Sequence, residues 1–173
     1  NYSFYSIFLM RNGVIINTIR EPKYLGTIGS VKFVETFHHD TILVMNSDLF
    51  TNINYEDFYL DFVASDADMS VAAIPYSVSI PYGILEIEEG SITTLTEKPT
   101  YNYYANAGIY LIKKEMLSLI PDNEYFDATD LIELLISRGS KVVRFPITGY
   151  WIDIGKIEDY KKANELVRHI NGS

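Results

Sequence analysis

Two aspartates carry the first chemical signal in this sequence. Asp48 closes the polar stretch Asn46-Ser47-Asp48 directly after the apolar run Thr41–Met45, and Asp153 stands in Gly149-Tyr-Trp-Ile-Asp-Ile-Gly155. A carboxylate at the mouth of a sheet can hold Mg2+, which uses one or two carboxylates and completes its octahedron with phosphates and waters. Each also has an ordinary reading. Asp48 can be a turn residue hydrogen-bonded to its own loop, and Asp153 can be the N-cap of the helix that follows it. Both readings stay open, and nothing in the spacing says that the two aspartates meet. Glu97-Lys98 offers a carboxylate that can accept hydrogen bonds from hydroxyls and a point cation suited to phosphate; as a solvated strand end it would do neither. Neighbouring strand residues face opposite ways, so these two are not expected to pair with each other. Gly26, Gly83 and Gly108 can each bring backbone amides close to a ligand.

Other chemistries are excluded. The chain has no cysteine, which removes disulfides, zinc-thiolate sites, iron–sulfur clusters and cysteine nucleophiles. His38, His39 and His169 show no metal-ligand spacing, and the His38-His39 pair reads as solvated. There is no Gly-x-Ser-x-Gly elbow, no Gly-x-x-x-x-Gly-Lys-Ser/Thr loop and no Gly-x-Gly-x-x-Gly.

The elements that must position these residues follow from periodicity. Residues 2–11 read as a helix ended before Gly13, and Val14–Ile19 as a β-branched strand. Residues 21–27 form a loop punctuated by Pro22 and Gly26. A helix is expected over 27–37, with Ile28, Val31 and Val34 on one face. Thr41–Met45 reads as a strand covered on both faces, and 55–63 as a helix. Strands are expected at 69–74, 82–88, 92–95, 107–112 and 141–145, the pair around Glu89-Gly90 forming a hairpin. Residues 116–120 form a short helix stopped by Pro121. Asp127 caps a helix over Leu131, Leu134 and Leu135 that ends at Gly139. A closing helix covers 156–170, with Tyr160, Ala163, Leu166, Val167 and Ile170 on one side. Alternating helices and strands, then antiparallel-looking strands, predict an α/β sandwich on a mixed, mostly parallel sheet. In such sheets ligands sit beyond the carboxyl ends of the strands, where Asp48 and Asp153 stand.

A length of 173 residues fits one domain, and a chain this long buries roughly 70% of its unfolded surface. The 47% hydrophobic and 21% charged composition is globular and excludes disorder. With 14 basic against 23 acidic residues the net charge is -9, which gives no footprint for a nucleic acid polymer or an anionic membrane. A phosphorylated small molecule remains possible through a cation and local donors. No run of about 18 apolar residues spans a bilayer, and the apolar start lacks the basic region and cleavage site of a signal peptide. A cytoplasmic protein is expected. The chain does not begin with Met, which suggests a fragment.

Five ordered segments carry a family resemblance: Glu21-Pro-Lys-Tyr-Leu-Gly-Thr-Ile-Gly29; Leu43-Val-Met-Asn-Ser-Asp-Leu49; Pro81-Tyr-Gly-Ile-Leu-Glu-Ile87; Glu97-Lys-Pro99 with Asn106-Ala-Gly-Ile-Tyr110; and Tyr150-Trp-Ile-Asp-Ile-Gly155 with Asp159-Tyr-Lys-Lys-Ala-Asn164. Together they resemble the sugar-phosphate nucleotidyltransferase (NDP-sugar pyrophosphorylase) family, most of all its mannose-1-phosphate guanylyltransferase-like branch, which includes forms with a separate regulatory domain. The resemblance implies a Rossmann-like three-layer sandwich. It implies the reaction of an NTP with a sugar 1-phosphate to give an NDP-sugar and pyrophosphate. Asp48 and Asp153 match the family's Mg2+ carboxylates, and Leu25, Gly26 and Thr27 the loop at the base. Gly83, Glu97, Asn106 and Gly108 match the sugar contacts, and Lys98 the lysine that neutralises the sugar phosphate. The family also begins with a strand and a glycine-rich loop carrying an arginine and then a lysine, and Gly13, Gly26 and Gly29 stand in no such pattern. The expectation is therefore the C-terminal two thirds of one nucleotidyltransferase domain over 1–173. Such a chain would have little turnover alone and an uncovered sheet edge prone to association, a homo-oligomer being one expected outcome. Two other functions compete: a non-catalytic nucleotide-sugar-binding or structural module of the same fold, and a metal-dependent glycosyltransferase. The second normally presents Asp-x-Asp, where this chain has Asn46-Ser-Asp48.

Overall fold

The computed structural model describes the backbone of residues 9–11 and 14–171, and side chains from 16 to 170. The strands are β1 (Leu9–Arg11), β2 (Val14–Ile16), β3 (Thr41–Met45), β4 (Leu49–Thr51), β5 (Met69–Ser79), β6 (Ile84–Glu88), β7 (Ser91–Thr96), β8 (Thr100–Lys113), β9 (Val142–Pro146) and β10 (Trp151–Asp153). The α-helices are α1 (Tyr55–Ser65), α2 (Ala128–Ser137) and α3 (Ile157–Asn171). The fold is mixed α/β.

The principal sheet has the order β3-β8-β5-β9. β3 and β8 are antiparallel, with Thr41 opposite Lys113 and Met45 opposite Ile109. The Lys113 N–H donates to Asp68 O at the start of β5, and the Ile80 N–H donates to Pro99 O at its end. β5 and β8 are therefore antiparallel as well. β9 runs with β5, because Asp68 meets Lys141 at one end and Ile147 meets Ala73 at the other. Three strands thus share a direction and β8 opposes them, which is the mixed sheet expected.

The chain divides into two compact units, residues 1–47, 55–71 and 109–143 in the first and 48–54, 72–108 and 144–173 in the second. The first unit's core joins Ile28, Met69, Ile112, Ile120, Leu131 and Leu135, all essentially inaccessible. Removing their apolar surface from water is its main source of stability, at roughly 25 cal/mol per Å2. Helix α2 enters this core because Leu131 and Leu135 recur one turn apart. Its start is fixed by a capping box, in which the Asp127 side chain accepts from the third-position N–H and Asp130 accepts from the Asp127 N–H at 2.8 Å. The second unit holds β4 against β10, the β6–β7 hairpin and α3.

Several expectations are corrected. The helix over 2–11 reaches the described residues only at Leu9–Arg11, which pair with Val14–Ile16 as an antiparallel hairpin. The helix over 27–37 shrinks to a 3-10 turn at Gly29–Phe33, after which Val34 is extended. Gly29 and the β-branched Val31, Val34 and Thr36 all disfavour helix, and packing of Ile28 and Val31 on the core does not require it. The helix over 116–120 is likewise a 3-10 turn, Lys114–Leu119. β3 is not covered on both faces, since Leu43 and Met45 are 44% and 43% exposed. β8 starts seven residues earlier than Ala107, because its exposed tyrosines and asparagines at 101–106 hid the strand behind a polar composition. The hairpin, α1, the capped α2 and α3 form where expected.

Candidate active site

Strands β4 and β10 bring the backbones of the two aspartates to one end of a ladder. In their antiparallel register Trp151 faces Thr51, Ile152 faces Phe50 and Asp153 faces Leu49. The Ile154 N–H donates to Asp48 O at 2.8 Å. Asp48, in the turn before β4, thus stands opposite Ile154, one residue out of register with Asp153, so the two backbones meet at the same end of one two-stranded ladder, both within the second unit.

That register is locked by side chains at the other end of the ladder. The Tyr150 N–H donates to Asn52 Oδ1 at 2.8 Å, and Thr51 Oγ1 donates to Tyr150 O at 2.9 Å. The rings of Phe50 and Tyr150 stack at 5.1 Å. Gly149 is required here, because a Cβ at this position would collide with the Asn52 side-chain amide. A one-residue slip would break all of these contacts and turn Asp153 to the opposite face.

Both carboxylates are exposed, and among the described residues neither has a hydrogen-bond or ion-pair partner. The N-cap reading of Asp153 does not hold, since it lies in β10 and the N–H groups of Asp159 and Tyr160 turn back to Lys156 O. Among the described residues no group of three or more His, Cys, Asp and Glu side chains gathers to hold a metal. Mg2+ asks for only one or two carboxylates when phosphates supply other ligands, and each of these exposed, unpartnered carboxylates has the donor chemistry that ion takes.

Side chains alternate along a strand, so Trp151 and Asp153 share one face of β10. On that face Trp151 Nε1 donates to Ala107 O at 2.9 Å, tying the strand of Asp153 to the segment of Asn106 and Gly108. Gly108 has φ +71° and donates its N–H to Asn106 Oδ1 at 2.9 Å. Asn106 thus shapes the backbone that presents it.

Gly83 and Glu97 are also together. A Cβ on Gly83 would stand 2.9 Å from Glu97 Oε2. Glu97 and Lys98 form an exposed ion pair at 3.9 Å, contrary to expectation. They lie in the turn between β7 and β8, where Lys98 has φ +44° and strand alternation no longer separates neighbours.

Leu25, Gly26 and Thr27 belong to the first unit. Leu25 is fully buried and accepts the Phe126 N–H at 2.9 Å. Gly26 has φ +81°, and a Cβ there would stand 2.5 Å from Phe126 O. The Thr27 N–H donates to Asp127 Oδ1 at 2.8 Å, and Thr27 Oγ1 accepts the Ala128 N–H at 2.9 Å. Tyr125 donates its phenolic hydroxyl to Asp127 Oδ2 at 2.5 Å. That bond, foremost, holds the Asp127 carboxyl below its ordinary pKa and pushes the Tyr125 phenol up to about 12.

An open cleft of about 580 Å3 is lined by Trp151, Ile152, Asp153, Gly155, Lys156, Asp159 and Lys162. Lys162 pairs with Asp159 at 3.3 Å, whereas the Lys156 ammonium has no partner among the described residues. Lys156 escaped the sequence reading because a lysine at a helix start carries no pattern of its own; its nearness to Gly155 was the available signal. Among the described residues no helix is long and apolar enough to cross a membrane.

Comparison with known proteins places this chain in a family. Residues 7–169 match the family model described as nucleotidyl transferase. A curated glucose-1-phosphate adenylyltransferase from Bacillus cytotoxicus is 28% identical over 162 residues, covering 84% of this chain and 43% of its own. The chain spans less than half the length of that relative. The crystal structure of HddC from Yersinia pseudotuberculosis aligns with TM-score 0.65 and 25% identity over 90% of this chain and 69% of its own. HddC complexed with GMP-PN aligns with TM-score 0.61 at the same identity and coverage. The fold is the Rossmann-like α/β fold of these enzymes, and the chain belongs to the nucleotidyl transferase family.

Proposed function

We propose that this chain carries the sugar- and metal-binding part of an enzyme that transfers a nucleotidyl group from an NTP to a sugar 1-phosphate, releasing pyrophosphate. One observation above all supports the reading: the β4–β10 register, which brings the backbones of Asp48 and Asp153 to the same ladder end, with both carboxylates exposed and unpartnered among the described residues. Family membership over residues 7–169 supplies the reaction class.

The chemistry is a displacement at the α-phosphorus between two anions, whose repulsion opposes their approach. Asp48 and Asp153 would hold Mg2+, which when bound lowers that repulsion and orients both phosphates. The chain's remaining work is positioning and charge stabilisation, which needs no Cys, Ser or His nucleophile. Lys98 would place its ammonium on the sugar phosphate. Glu97 would accept hydrogen bonds from sugar hydroxyls beside Gly83, where the missing Cβ leaves room. Asn106 would hold the Gly108 backbone toward the sugar, and Leu25-Gly26-Thr27 would present backbone to the base.

Within the family, the complex of HddC with GMP-PN favours a guanosine nucleotide, and with it the mannose-1-phosphate guanylyltransferase-like branch. The Bacillus adenylyltransferase favours adenosine and glucose 1-phosphate. Titration calorimetry with GDP-mannose, ADP-glucose and dTDP-glucose in Mg2+ decides between them, and pyrophosphate release from matched NTP and sugar 1-phosphate pairs tests the reaction. Binding of one NDP-sugar in preference to the others is expected. Binding of none of them, with no pyrophosphate formed, would sink the proposal.

A further inference from the structure

The loop Leu25-Gly26-Thr27 has no helix or strand of its own to hold it; its Leu25 N–H donates to Glu21 Oε2 at 3.3 Å, and the other polar groups that fix it come from one short segment, Tyr125–Ala128. The Thr27 N–H donates to Asp127 Oδ1 and the Thr27 hydroxyl accepts the Ala128 N–H. The Leu25 carbonyl accepts the Phe126 N–H, and the Ile28 N–H donates to Phe126 O at 3.3 Å. Gly26 lies so close that a Cβ would stand 2.9 Å from Asp127 Oδ1. Asp127 is the hub. One oxygen holds the loop, the other accepts the Tyr125 hydroxyl, and Tyr125 is itself buttressed edge-on by Tyr24 at 5.6 Å. A helix N-cap needs only its own turn to be satisfied; this one also bonds a residue a hundred positions away in sequence.

We propose that Asp127 is a positioning residue for nucleotide binding: through Thr27 it fixes the backbone that meets the base, and Tyr125 fixes Asp127 in turn. This rests on the reading that the 25–27 loop contacts the nucleotide. A carboxylate with two oxygens can serve Thr27 and Tyr125 at once, whereas an amide offers one acceptor oxygen. The latch therefore predicts a graded series. Asp127→Ala frees the loop, Asp127→Asn keeps the loop bond and the cap, and Tyr125→Phe removes only the buttress.

The test compares wild type with these three variants, each first shown to be folded by its amide NMR spectrum. Affinities are measured for each ribonucleoside triphosphate with Mg2+, and separately for mannose 1-phosphate and glucose 1-phosphate. Loss of one positioning hydrogen bond should weaken nucleotide binding roughly tenfold in Asp127→Ala. Smaller losses are expected in Tyr125→Phe and near-recovery in Asp127→Asn, with sugar phosphate affinity unchanged throughout. Equal weakening of nucleotide and sugar phosphate would mark Asp127 as a structural cap only and overturn the proposal. Unchanged nucleotide affinity in folded Asp127→Ala would overturn it too. The Gly26 and Thr27 amide resonances separate the two layers. If nucleotide shifts them while Asp127→Ala binds normally, the positioning inference fails and the loop reading stands. If nucleotide leaves them unmoved, the loop reading fails and the inference falls with it.

Discussion

The indole Nε1 of Trp151 donates to the carbonyl oxygen of Ala107 at 2.9 Å. This single bond ties the strand that carries Asp153 to the segment that carries Asn106 and Gly108, so the candidate metal ligand and the candidate sugar contacts cannot drift apart independently. Ala107 is itself fully buried, where an unmet acceptor is costly. Trp151→Phe removes the donor and some volume, and should lower stability by roughly 1–3 kcal/mol. Urea unfolding measures it; a midpoint equal to wild type would show that the bond constrains nothing.

Asp48→Asn and Asp153→Asn should each reduce kcat of the complete enzyme by at least about a hundredfold, as expected when a group stabilising transition-state charge is lost. Both side chains are exposed and, among the described residues, unpartnered, so neither change should move the thermal midpoint much. Steady-state pyrophosphate release in Mg2+ reads the first effect and calorimetric melting the second. Near-normal activity in either variant removes that aspartate from the metal site.

Lys98 combines a candidate phosphate contact with a left-handed backbone, φ +44°. Such a conformation costs an L-residue roughly 1–2 kcal/mol that glycine avoids, and strain of this kind gathers at functional positions. Lys98→Gly should therefore raise stability by up to about 1 kcal/mol while weakening use of sugar 1-phosphate. Lys98→Ala should keep the strain and lose the contact. A glycine variant that is less stable than wild type would refute the strain argument, and unchanged KM for sugar 1-phosphate in both would refute the contact.

Gly26→Ala meets both a left-handed φ of +81° and the Phe126 carbonyl. Backbone, unlike a flexible side chain, cannot step aside cheaply. A loss of roughly 2 kcal/mol or more is expected, visible in denaturant unfolding. Gly90 has a similar φ of +84° but open space around its missing Cβ, so Gly90→Ala should cost less. Equal losses at the two positions would mean that conformation alone, and not the close approach, matters.

The Tyr125–Asp127 bond predicts a stability contribution bounded on both sides in pH. Asp127 is depressed in the folded state, first by the Tyr125 hydroxyl. Its contribution is present above the ordinary carboxylate value near 3.8 and disappears as pH falls through the lower folded value. Tyr125 is raised to about 12, first by Asp127. Its contribution is full below the ordinary phenol value of 10.0 and fades as pH climbs toward 12. The stability gap between wild type and Tyr125→Phe should thus be flat through neutral pH and narrow at both extremes. A gap that persists unchanged at either extreme would rule out the bond as its source.

Much of this was legible in the chain itself. Asp127, Leu131 and Leu135 marked α2 because cap and apolar spacing are local signals, and Glu89-Gly90 marked the β6–β7 hairpin for the same reason. The ordered motifs around Asp48, Glu97-Lys98 and Asp153 pointed to the family. Local signals also misled. Ile28, Val31 and Val34 mimic a helical stripe that the core satisfies with a 3-10 turn, and the polar face of residues 101–106 concealed half of β8.

What residue order could not settle is who meets whom. Nothing between Asp48 and Asp153 encodes their adjacency; the β4–β10 ladder creates it, with Asn52, Thr51, Gly149 and Tyr150 holding the register. Likewise Asp127 looked like a cap and nothing more, until folding set Thr27 on one of its oxygens and Tyr125 on the other. Composition and periodicity act over a few residues, so they determine the elements. Pairing register is fixed by contacts between segments distant in sequence, so the site exists only once the chain has folded.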